Sequence, residues 1–110
     1  MKFSLLVQND VLILRLYGFF NHRTAKKLLK LLKQGRIHSY SKVTFDLTRV
    51  SSIDRAGLGL LFLVAHRLKK LGGDTYAVNP QPSVREQMTK ADLPSMLHVF
   101  PNDSQSRSAA

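Results

Sequence analysis

The chain has 110 residues, 44% of them hydrophobic, which is one ordinary domain with enough apolar side chains for a normal core; two domains would each be too small. It contains no cysteine, so disulfides, thiolate metal sites and cysteine nucleophiles are excluded by inventory. Seventeen Lys and Arg against seven Asp and Glu give a formal charge of +10, which attracts acidic protein surfaces, nucleic acid or anionic lipid, or serves solubility alone.

In chain order, the N-terminal residues carry one lysine and a short apolar run broken at Gln8-Asn9-Asp10. That run is shorter than a signal peptide or a membrane span requires, so a cytoplasmic protein is expected, with membranes reached only through a partner. Residues 3–7 and 11–17 are β-branched and aliphatic runs on either side of this turn and predict a hairpin. In the second run Leu12, Leu14 and Leu16 alternate with Val11, Ile13 and Arg15, giving one fully apolar face, and Gly18 is expected to close the hairpin.

The period then changes. Ala25, Leu28, Leu29 and Leu32 fall on one side of a helix over about residues 22–34. Lys26, Lys27, Lys30 and Lys33 fall largely on the other side, and Gly35 is the stop signal. Residues 42–47 return to strand alternation, with Val43, Phe45 and Leu47 on one face, and a loop is expected over 48–54. A long apolar helix over about 56–71 follows, its core stripe read as Leu60, Leu61, Val64, Leu68 and Leu71. Leu58, Phe62 and Ala65 lie off that stripe, so its first half is apolar nearly all round, the mark of a helix buried twice or presenting a patch to a partner.

Gly72-Gly73-Asp74 reads as a turn, 75–78 as a short strand, and Ser83-Val84-Arg85-Glu86 as a capping box opening a third helix to about Ala91, with Val84 and Met88 inward. Leu97 to Phe100 is a last short strand. The polar, aperiodic residues 101–110 are expected to be a disordered tail, leaving 1–100 as the domain. The order β-β-α-β-α-β-α-β predicts an α/β fold, a mixed sheet of about five strands covered by three to four helices.

From Val43-Thr44-Phe45-Asp46-Leu47 to Gly57-Leu58-Gly59-Leu60-Leu61 the sequence resembles the STAS domains of sulfate transporters and anti-sigma factor antagonists. The stretch Gly18-Phe19-Phe20-Asn21-His22-Arg23-Thr24-Ala25 and the run Asn79-Pro80-Gln81-Pro82-Ser83-Val84 resemble the family at the matching places. The resemblance runs from Phe3 to Phe100 and implies the STAS, or SpoIIAA-like, fold and a non-catalytic regulatory module that binds another protein. In the antagonists, a serine or threonine just before the glycine at the start of the second helix accepts a phosphate from the anti-sigma kinase. A helix N-terminus favours that anion, and about two added negative charges on a docking surface eject a partner.

By this resemblance the phosphate-accepting position is Ala56, which has no oxygen to modify, so control by phosphorylation there is not expected. Arg55 is also unusual, since a cation at a helix N-terminus opposes the dipole; Asp54 offsets it as the N-cap and as a pairing partner. The candidate contact residues are Asp54, Arg55, Ala56, Gly57, Leu58 and Phe62. Ser51 and Ser52 are alternative phosphosites, set against a reading as loop serines satisfying local backbone groups.

Other chemistry finds no foothold. His22, His38, His66 and His98 are scattered with no ligand-like spacing, so neither a metal nor any cofactor is expected. No base stands beside a nucleophile, Asp46, Asp54 and Asp74 are each explained by a strand end or a turn, and Gly57-Leu58-Gly59 lacks the lysine of a phosphate loop, so no enzyme is expected.

Three readings of function follow. The first is a module binding an anti-sigma factor or a serine-kinase-like switch protein. The second is an accessory subunit bound to the ATPase of a phospholipid transporter, since Asp46-Leu47-Thr48-Arg49-Val50 is similar to a run in the STAS protein of such a system. Nucleic-acid binding is the weakest, carried by charge alone, because Tyr17, Phe19, Phe20 and Tyr40 read as core and loop residues. The sequence does not indicate an oligomeric state.

Overall fold

The computed structural model describes residues 2–34 and 39–101; Gly35, His38 and the tail beyond 101 lie outside the described residues. The elements are β1 (Lys2–Gln8), β2 (Val11–Phe20), α1 (His22–Gln34), β3 (Lys42–Ile53), α2 (Arg55–Lys70), β4 (Asp74–Val78), α3 (Pro82–Lys90) and β5 (His98–Phe100), with a short 3-10 turn, Leu93–Ser95, before β5. The strands lie in the order of the chain, β1-β2-β3-β4-β5. β1 is antiparallel to β2 and all later pairs are parallel, because each later connection runs through a helix that returns the chain to the starting end of the sheet.

Burial alternates along the strands. Leu12, Leu14 and Leu16 on β2, Val43, Phe45 and Leu47 on β3, and Ala77 on β4 face the helices. Ile13, Thr44 and Tyr76, in register with one another, are only half-buried, so helices cover one face of the sheet and the other is open. On that open face Tyr76 stacks between His98 (centroids 4.8 Å) and Phe100 (6.0 Å). This aromatic row joins side chains from β4 and β5, whereas Tyr17, Phe19, Phe20 and Tyr40 are the aromatic residues expected in core and loops. Of those four, Phe20 is wholly buried and Tyr40 packs on the core, but Tyr17 is exposed and Phe19 is 63% exposed.

The helices sit where spacing placed them. Ala25, Leu28 and Leu32 of α1 are buried, as are Leu60, Leu61, Val64 and Leu68 of α2 and Val84 and Met88 of α3.

Five expectations are corrected. Gly18 does not close the hairpin: β2 continues through it to Phe20, and its φ of +85° marks the irregularity where the register against β3 shifts. Residues 48–53 are not a loop but the second half of β3, paired with the end of β2. Asp46 is therefore inside a strand, where it accepts hydrogen bonds from the Thr48 N–H (3.1 Å) and hydroxyl (2.5 Å). Leu71 is not core but an exposed C-cap, because α2 stops at Lys70 and Gly72 (φ +84°) turns the chain away.

The fifth correction is the capping box. Pro82, with φ preset and no N–H to leave unpaired, takes the first position of α3, so Ser83 lies inside the helix and Gln81 is the N-cap without a side-chain bond. Gln81 instead donates its Nε2 to the Thr48 carbonyl, 3.1 Å away on β3.

Candidate functional site

The ends of β2 and β3 lie side by side, Phe20 opposite Ile53, and each chain turns at once into a helix. Both helix N-termini are thereby brought to one corner, and Asp54 holds them together. Its Oδ1 accepts from the Gly57 N–H of α2 at 2.9 Å, and its Oδ2 accepts from the His22 N–H of α1 at 3.1 Å. Its own N–H donates to the Phe20 carbonyl at 3.1 Å, and its carbonyl accepts from the Leu58 N–H at 3.0 Å. Asp54 is thus the N-cap of α2, as its place in the sequence indicates, and also satisfies the first N–H of α1.

Asp54 does not pair with Arg55. Its carboxylate is turned to the two helix ends, and the ion pairs of the described residues do not include Arg55, whose guanidinium is exposed at the start of α2. Gly57 is buried under the helix: a Cβ there would fall 2.6 Å from the Phe20 carbonyl oxygen and 2.8 Å from Ile53 Cγ1. Its lack of a side chain is what lets α2 start so close to β2.

Ala56 is half-buried, its methyl on the α1 side of α2 beside Lys26 and Leu29. Leu58 and Phe62 point the other way, toward α3, where with Arg55, Gln87, Ala91 and Leu93 they line a shallow groove. Leu58 is half-buried and packed on the core, whereas Phe62 is 47% exposed and stacks on His66 at 5.9 Å. Ser51 and Ser52 are exposed at the end of β3, Ser52 opposite Phe19; they are strand residues, so their reading as loop serines is withdrawn. Gln87, Ala91 and Leu93 of the groove had no signal in the sequence, and Phe19, expected as a core or loop residue, is an exposed strand residue. Only the Phe19-Phe20 pair carried a signal, because neighbouring strand residues point to opposite faces and one of the two had to face outward.

The six candidates therefore divide. Asp54 and Gly57 build the corner, Arg55, Leu58 and Phe62 form one exposed flank of α2, and Ala56 lies on the opposite flank. Among the described residues no group of three His, Asp or Glu side chains gathers as a metal site, and no helix is long and apolar enough to cross a membrane.

The sequence matches the STAS domain over residues 2–105. The chain belongs to the STAS domain family. It is 29% identical over 110 residues to a Bordetella bronchiseptica protein carrying the name anti-sigma factor antagonist BtrV, covering all of this chain and 92% of that one. The STAS fold here superposes on the unphosphorylated form of the anti-sigma factor antagonist SpoIIAA with a TM-score of 0.79 and 20% identity, over 98% of this chain and 96% of that one. A Thermotoga maritima protein named as an anti-sigma factor antagonist gives a TM-score of 0.83 at 22% identity, over 97% and 92% of the two chains. The molecule is thus a STAS domain, similar along its whole length to proteins that carry the name anti-sigma factor antagonist.

Proposed function

We propose that this STAS domain is a regulatory module that binds an anti-sigma factor or a serine-kinase-like switch protein through the start of α2, and that phosphorylation at the family's position does not control it. The observation that carries this reading is Phe62, 47% exposed beside the groove that runs from Arg55 to α3. An aromatic ring left half in water on a helix whose start is fixed by Asp54 is a common anchor of a protein contact. Arg55, exposed and without an ion pair among the described residues, supplies a charge for an acidic group of the partner.

The match to BtrV over the whole chain supports the choice of partner class. Ala56 takes the place of the hydroxyl on which the antagonists of the family are switched, so binding persists without that control. Ser51 and Ser52, three and two residues before Asp54 and both exposed, are the hydroxyls through which a kinase would act instead.

The test is Phe62→Glu, which places a negative charge on the exposed flank of α2 that the reading assigns to the partner. Affinity for the partner, captured from cells that make the protein and identified as a kinase-fold regulator, should fall by more than about tenfold. Unchanged affinity would move the interface elsewhere, and capture of an ATP-binding-cassette subunit in place of a kinase-fold protein would favour the transporter reading. Ala56→Ser should restore a phosphate acceptor, visible as a mass shift after incubation with that partner and ATP.

A further inference from the structure

The charge of this protein is unevenly placed. α1 and α2, packed side by side, hold five and four Lys or Arg residues, nine of the chain's seventeen, and neither contains an Asp or Glu. All nine are exposed, and among the described residues none has a carboxylate within ion-pair distance. The cost of leaving like charges together on adjacent helices is not relieved anywhere within the described fold.

Between the two helices runs a groove on the side of α2 away from Phe62. Its floor is mostly apolar, built from Ala25, Leu29, Ala56, Gly59, Leu60 and Leu63, with His22 and Lys26 beside it. Leu29 and Leu63 are only half-buried. Lys30 and Lys33 follow Lys26 by four and seven residues, and Arg67 and Lys70 follow Leu63 by the same steps, so the helical repeat continues both walls as rows of cations.

We infer that this groove is a docking site for an acidic amphipathic helix, whose apolar seam covers Leu29 and Leu63 while Asp or Glu side chains on its two flanks meet the lysine and arginine walls. Charge complementarity sets the sign of the partner, and the floor sets its form. Two adjacent helices leave a seam that the ridge of a third helix fills, a form that a planar bilayer lacks. Nucleic acid would find only the His22 ring beside that floor, and no row of aromatic rings on which successive bases stack. An unstructured acidic tail would satisfy the walls alone. This site does not depend on the Phe62 surface, since it uses the other flank of α2.

The probe is a hydrocarbon-stapled helical peptide of about four turns, with leucines at three- and four-residue spacing and glutamates on both flanks. It is measured by fluorescence anisotropy against a stapled scramble of the same composition, oligo-glutamate, phosphatidylglycerol vesicles and a single-stranded oligonucleotide of matched charge. At about physiological salt the amphipathic peptide should bind at least about tenfold more tightly than the scramble or oligo-glutamate. Lys30→Glu with Lys33→Glu, and separately Leu63→Ser, should each weaken it by at least about fivefold, with unchanged circular dichroism. Amide chemical-shift changes should fall on α1 and α2.

Equal binding of the scramble, tighter binding of the vesicles or the oligonucleotide, or shifts confined to the open sheet face would each overturn the inference. The lysine pair is fully exposed, so its charge reversal stays informative even where Leu63→Ser disturbs folding. Phe62→Glu should weaken the regulator and leave the peptide bound, and Lys30→Glu with Lys33→Glu should do the reverse, which separates this site from the one proposed above.

Discussion

Asp54 commits each carboxylate oxygen to a different helix, and two structural units consequently depend on one side chain. Asp54→Ala should destabilise the domain by about 2 kcal/mol, since it removes an N-cap and a second bond to a helix N–H. Asp54→Asn, which keeps one acceptor oxygen, should lose less; urea denaturation midpoints of the three proteins check the order. The opposite situation holds at Thr75, which is buried with no hydrogen-bond partner for its Oγ1 among the described residues. Replacing that hydroxyl by a methyl removes a desolvated polar atom without changing shape. Thr75→Val should therefore be as stable as the parent or up to about 1 kcal/mol more so in the same measurement.

For the elements, local pattern and tertiary setting separate cleanly along α2. Leu68 and Leu71 stand one turn apart and read alike on a helical wheel, but Leu68 is wholly buried and Leu71 is 60% exposed past the end of the helix. Thermal or urea unfolding should show Leu68→Ala costing about 2–5 kcal/mol and Leu71→Ala less than about 0.5 kcal/mol. Equal losses would mean that α2 continues through Leu71. β3 teaches the same lesson in the other direction. Its first half alternates and is legible, whereas in its second half the buried residues Leu47, Val50 and Ile53 stand three apart. The register shifts against β2 insert that spacing, so a search for period two stops at Leu47 and reports a loop.

At the scale of the whole molecule, a sheet covered on one face divides the surface into territories that composition cannot distinguish. The helical side carries the acid-free pair α1 and α2 and the Phe62 flank, while the open side carries the row of Tyr76, His98 and Phe100. A net charge of +10 states that something acidic is attracted but not where, because lysines far apart in sequence become neighbours only when two helices pack.

What the sequence determined by itself was whatever depends on neighbours within a turn or a strand. The element order, the buried stripes of the three helices apart from Leu29 and Leu71, the alternation of β2 and the capping role of Asp54 all rest on such local periodicity and side-chain chemistry. Only the tertiary structure decided the second bond of Asp54 to α1, the burial of Gly57 against Phe20 and the start of α3 at Pro82. Each of these is settled by residues more than thirty positions apart in sequence or by competition between adjacent caps, and contact energies between such residues leave no period in the chain for a local reading to find.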